Sequence, residues 1–185
     1  MELIIALVFL LGILIAGYFA FNIRIKEIKE SGHNEKFDEI TAKFPNNKEI
    51  CEDVLKILDN TKVKIKEEEA SNKKTTSLYV AISDTIFIGN IKDTYTRIQT
   101  VCHECLHSIQ PRRLLLFNFI YSNIYILYFV TSCILTIVGV FKDTKLQIII
   151  LSILSFIYYA VRAYLENDAM IKARFLAKDY MLRLH

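Results

Sequence analysis

Thr94-Tyr95-Thr96-Arg97-Ile98-Gln99-Thr100-Val101-Cys102-His103-Glu104-Cys105-Leu106-His107-Ser108-Ile109-Gln110 is the helical stretch around which the chain is organised. At about 100° per residue, His107 lies about 40° around the helix axis from His103 and one turn further along. Both imidazoles can therefore point at a single metal ion. Glu104 falls about 60° to the side of His107, close enough to take a proton from a water that the metal activates. His-Glu-x-x-His at this spacing is the geometry of zinc-assisted hydrolysis. It uses two of the four histidines in the chain. The competing reading is a polar helix face with unrelated histidines, so the rest of the chain must supply a third ligand and a setting.

Cys102-x-x-Cys105 overlaps the histidine motif. On a helix Cys105 points well away from His103, and no second cysteine pair completes a four-ligand knuckle. Buried or half-buried free thiols are the expectation.

The 185 residues provide one modest domain plus membrane segments. The apolar fraction of 53% is concentrated in three blocks. A formal charge of +3, with no basic run interleaved with aromatics, argues against a nucleic-acid partner. Cys51, Cys102, Cys105 and Cys133 show no disulfide-framework spacing, and a reducing compartment suits the polar part.

Residues 3–21 form an unbroken apolar run, long enough to cross the hydrocarbon core as a helix. A signal peptide would need a basic start, a shorter run and a cleavage site with small residues, none of which is present. Arg24, Lys26 and Lys29 follow the run and place the next region on the cytoplasmic side. Residues 114–141 carry no charge and hold a second span, and residues 146–161 continue as a third. Lys142-Asp143-Thr144-Lys145 is the connection between them. Arg112 and Arg113, and later Lys172, Arg174, Lys178 and Arg183, put positive charge on the same side as Arg24.

The chain thus reads as an α+β protein of the cell membrane with three transmembrane helices and its site facing the cytoplasm. An N-terminal transmembrane helix occupies 1–23, a cytoplasmic αβ unit 24–113, a transmembrane hairpin 114–165 and a cytoplasmic helix 166–185. Within the αβ unit, Ser31-Gly32-His33-Asn34 is a breaker, and Asn46 with Glu49 has the spacing of a helix N-cap and its capping-box partner. Ile50, Val54, Leu55 and Leu58 make an apolar stripe at helical spacing. Residues 62–66 alternate like a strand, and 67–74 read as a solvated loop. Residues 78–82 and 85–88 are strand-like around Ser83-Asp84. A β-edge immediately before the motif helix offers a place for an extended peptide to bind as an added strand.

A catalytic zinc held by two histidines takes one more protein ligand and keeps a position open. His33 lies in an early loop and His185 is the final residue of the sequence. Glu166 is better placed: it emerges from the third apolar segment, and the second begins a few residues after His107. The hairpin therefore returns Glu166 to the level of the histidine pair. The alternative is a helix-end carboxylate paired with Arg162, four residues earlier.

His103-Glu104-Cys105-Leu106-His107-Ser108-Ile109-Gln110, followed after a hairpin by Glu166-Asn167-Asp168-Ala169, resembles the neutral membrane zinc metallopeptidases of the YugP type, themselves similar to minimal gluzincins. The resemblance covers most of the chain by layout and implies a minimal zincin-like αβ unit. It also implies that His103, His107 and Glu166 bind Zn2+ and that Glu104 is the base. Two positions depart from related patterns. Leu106 stands where Gly is usual, and Met170 stands where related CAAX-processing peptidases place an Asp one turn after the ligand glutamate. Asp168, about 200° around the helix from Glu166, is not expected to orient a zinc ligand, so no residue is assigned to orient the histidines.

The reading is a membrane-integral zinc metalloendopeptidase that hydrolyses peptide bonds by zinc-activated water, acting on a peptide or membrane-protein substrate. An intramembrane protease would need an apolar zinc helix, whereas this one carries Arg97 and Gln99. From another class, a noncatalytic membrane module could use zinc only as a tie; it would have no use for a base at Glu104.

Overall fold

The computed structural model describes residues 35–67, 77–89 and 96–184, together with Val8, Leu11, Gly12, Ile15, Ala16, Tyr18 and Phe19. The expected first span lies outside these residues apart from those seven helical positions. So do His33, His185, the breaker at 31–34 and the loop at 68–74.

Asn46 starts the αβ unit's first long helix as its sequence implies. Its Oδ1 accepts the Glu49 backbone N–H at 2.9 Å, which pairs one of the amides that a helix start leaves without a partner. A short helix, α1 (Glu35–Thr41), precedes it, and α2 (Asn47–Ile57) buries Ile50, Cys51, Val54 and Leu55. Three short strands follow: β1 (Lys64–Glu67), β2 (Leu78–Val80) and β3 (Thr85–Ile88). Their order in the sheet is β1-β3-β2, with β3 parallel to β1 and antiparallel to β2. The turn between β2 and β3 is held by Tyr79, whose hydroxyl donates to Asp84 Oδ1 at 2.8 Å. Because β3 is central, the outer edge of β2 pairs with no other strand among the described residues.

The motif helix, α3 (Arg97–His107), is buried along Ile98, Val101, Cys102, Cys105 and Leu106. Arg97 belongs to this core: it is 2% exposed. Its guanidinium donates to Thr41 O, Phe44 O, Pro45 O and Asn47 Oδ1. One of these acceptors is the carbonyl of Thr41, the last residue of α1. One cation thereby fastens the 41–47 segment onto the start of α3. Leu106, where a Gly was the reference, is 4% exposed and is absorbed into the same core. The thiols of Cys51, Cys102 and Cys105 are all free and buried.

Two helices are long and apolar enough to cross a membrane: α4 (Arg112–Ile137) and α5 (Thr144–Arg183). Three were expected from sequence; among the described residues there are these two. Pro111 precedes the first helical position of α4 and lacks the N–H that a helix start cannot use. Gly139, at φ +79°, closes α4 a turn earlier than the uncharged run ends. Asp143 then caps α5 through the Leu146 N–H. Across the hairpin, Tyr121 donates to Leu154 O, Tyr125 pairs with Ser155 Oγ, and Tyr128 donates to Gln147 Oε1.

The expected boundary at 165/166 falls inside α5, which runs unbroken for 40 residues, or about 60 Å. No Gly or Pro interrupts residues 144–183, so nothing stops the helix where its surroundings change. Its first half pairs with α4. Its second half buries Leu165, Ala169, Ala173, Ala177 and Tyr180, and packs against α3. Alanine at every fourth position gives α5 a smooth face that lets the two backbones approach. One rigid element therefore joins the hairpin to the motif helix.

Candidate metal centre

His103 and His107 lie one turn apart on α3, and their Nε2 atoms are 3.0 Å from each other. Their rings stand nearly perpendicular, at 88°, with both edges turned to the same point. Glu166 arrives from α5, three residues before Ala169, the first alanine of its stripe. Its Oε2 lies 3.3 Å from His103 Nε2 and 3.8 Å from His107 Nε2. These three residues form a group able to hold a metal ion, with one ligand atom from each, all within 4.8 Å of one another. Burial first, then the neighbouring His107, pushes His103 below the ordinary imidazole range. That favours the neutral ring that metals bind.

His107 is oriented by a residue to which the sequence assigned no role. Its Nδ1 lies 2.8 Å from Gln110 Oε1. The Gln110 Nε2 donates to Leu165 O at 2.8 Å and to Asp168 Oδ2 at 3.1 Å. Asp168 in turn takes Lys172 Nζ on its other oxygen at 2.6 Å. Asp168 does not share a helix face with Glu166, as its angle required, yet it reaches the histidine through Gln110. The expectation that Asp168 has no part in orienting a histidine is thus corrected. The signal in the sequence was Gln110's place in the stretch His103 to Gln110 that carries the resemblance.

Glu104 is 8% exposed, and burial pushes its carboxyl up to about 7. A hydrogen bond from the Tyr79 backbone N–H opposes the rise, and the charge of Glu166 adds to it. Tyr79 is the middle residue of β2, so the outer edge of β2 faces the motif helix.

All four residues line one cavity of about 480 Å³. β2 and its turn, from Ser77 to Ile82, make one wall; α4 and α5 make the other with Leu115, Asn118, Phe119, Ser122, Arg162 and Leu165. Arg162 is not paired with Glu166: its guanidinium donates to Tyr158 Oη at 2.6 Å, beside the Tyr158 ring. A volume in this range admits a ligand of several residues in extended form. Compared with protein-family models, with curated proteins and with solved structures, the chain matches none.

Proposed function

We propose that the chain is a membrane-integral zinc metallopeptidase that hydrolyses peptide bonds at the cytoplasmic face of a cell membrane. The observation that carries this reading is the convergence of Glu166 on the His103–His107 pair across a sequence gap filled by the hairpin. Ligand atoms around one four-coordinate zinc stand about 3.4 Å apart, given bonds near 2.0–2.1 Å. The separations of 3.0, 3.3 and 3.8 Å centre on that value. Two imidazoles and a carboxylate also match zinc's preference for nitrogen and oxygen donors.

When bound, zinc supplies Lewis acidity, making a water nucleophilic near neutral pH and polarising a carbonyl. The chain's own residues do the rest. His107 is held with its Nε2 free for the ion by the Gln110 contact. Glu104 shares the cavity with the three ligand residues and is desolvated enough to change protonation near neutrality. It can take a proton from the attacking water and pass it to the departing amine. The β2 edge offers main-chain hydrogen bonds to an extended peptide laid beside the site.

The test is zinc content and peptide cleavage on detergent-purified protein. The parent should hold about one zinc per chain. Glu166→Ala should lose most of it. Glu104→Gln should keep the metal and lose cleavage; a variant that keeps full cleavage overturns the proposed base. A parent that takes up no zinc overturns the whole reading.

A further inference from the structure

We infer that the substrates are membrane-anchored polypeptides, cut where their chain passes from water into the bilayer. This rests on the peptidase reading and adds where the substrate comes from. The cavity does not end at the ligand residues. It follows α4 from Leu115 past Asn118 and Phe119 to Ser122. Ser122 lies about 15 Å along the helix axis from Arg112, well inside the uncharged stretch that starts at residue 114. On the opposite wall Arg162 lines the cavity one turn, or about 6 Å, from Glu166 toward the span. The metal group therefore sits within about one turn of the level where α5 becomes continuously apolar, and the cleft leads downward from it.

The two ends of the cleft differ in chemistry. Beside Glu104 the wall is the backbone edge of β2, which suits an extended polar chain. Further down it is Leu115 and Phe119, with three polar side chains, Asn118, Ser122 and Arg162, between them. Asn118 Oδ1 is buried there and has no hydrogen-bond partner among the described residues. Rotation of that amide would offer a peptide N–H or C=O its missing partner. A soluble polar peptide would leave the lower end filled with water against leucine and phenylalanine. The juxtamembrane end of an anchored chain fills both ends.

The β2 edge sets the form in which it enters. Pairing beside a strand edge requires an extended chain, so the substrate is extended over the residues nearest the site, with its membrane helix beginning beyond them.

The experiment places the full-length, zinc-loaded protein in phosphatidylcholine–phosphatidylglycerol vesicles with one reporter peptide in three forms. One form is free, one is joined directly to a transmembrane helix, and one is attached to a lipid through a long Gly/Ser linker. The direct fusion should be cut at least about tenfold faster than the lipid-tethered form, at a bond close to the start of its apolar segment. Moving that segment along the reporter should move the cut with it. Ser122→Phe, which narrows the lower end, should raise KM for the direct fusion while zinc content stays at the parent's level. Equal rates for the fused and tethered forms overturn this inference alone, because the lipid tether supplies the same surface concentration. Cleavage of none of the three forms overturns the peptidase reading, and this inference with it.

Discussion

His107 Nδ1 lies 2.8 Å from Gln110 Oε1, and that contact fixes which ring nitrogen is free. The reasoning runs through the far end of the amide. Leu165 O and Asp168 Oδ2 can only accept, so the Gln110 nitrogen must face them and its oxygen must face the ring. His107 is then the donor at Nδ1, and its Nε2 keeps a lone pair directed at His103 and Glu166. Losing such a support costs metal affinity about 10–100-fold. Gln110→Ala should show that loss in a zinc competition titration with a chromophoric chelator. Gln110→Glu retains an acceptor for His107 and should recover part of it. Parent-like affinity in Gln110→Ala would remove Gln110 from this role.

Arg97 carries a structural burden that its charge conceals. Its guanidinium is buried and satisfies three backbone carbonyls and one side-chain oxygen of the 41–47 segment. Arg97→Met keeps much of the volume but removes four hydrogen bonds from a charged, buried donor, at a cost of about 3 kcal/mol or more. The variant should melt several degrees below the parent when unfolding is followed by intrinsic fluorescence at fixed detergent and zinc. An unchanged melting temperature would mean that water replaces the guanidinium at no cost.

What could be read ahead of the structure follows from the range of each interaction. His103, Glu104 and His107 are related by helical spacing alone, which a sequence displays directly. The approach of Glu166 to that pair follows from counting apolar residues on two successive segments, because a hairpin returns to the level where it began. Gln110 lies beyond the end of α3, where periodicity no longer says which way a side chain points. Asp168 was excluded by an angle measured around its own helix, and it acts through a residue on another element. Arg97 shows its charge in the sequence but not the carbonyls brought to it from more than fifty residues away. The unbroken α5 was divided at 165/166 because the composition changes there, and composition marks surroundings sooner than it marks the end of a helix.

The buried thiols give the fold a dependence on alkaline pH. Burial is the main cause that pushes Cys102 up to about 12, and Cys51 adds to it. In the unfolded chain a thiol titrates near about 8.5. The folded state thus holds its proton where the unfolded state loses it. The contribution is full below about pH 8.5 and declines as pH rises from there through about 12. The melting temperature should fall faster between neutral and mildly alkaline buffer for the parent than for Cys102→Ala, whatever the variant's own stability. Identical slopes would mean that Cys102 is not the group responsible.

The alanine face of α5 should control metal binding from a distance. Ala169 and Ala173 are fully buried and Ala177 nearly so, on the side of α5 that packs against α3. Ala173 lies two turns from Glu166 and is no ligand. Ala173→Leu adds volume to a contact with no room for it, a change that costs about 1–3 kcal/mol. The strain is relieved by moving α5 away from α3, which carries Glu166 away from the histidines. Zinc affinity should therefore drop together with melting temperature. Met170→Leu, on the exposed face at 55% exposure, should alter neither. If Ala173→Leu is destabilised yet binds zinc like the parent, the ligand geometry is set locally by α3 and the upper end of the hairpin, and not by the packing of the alanine face.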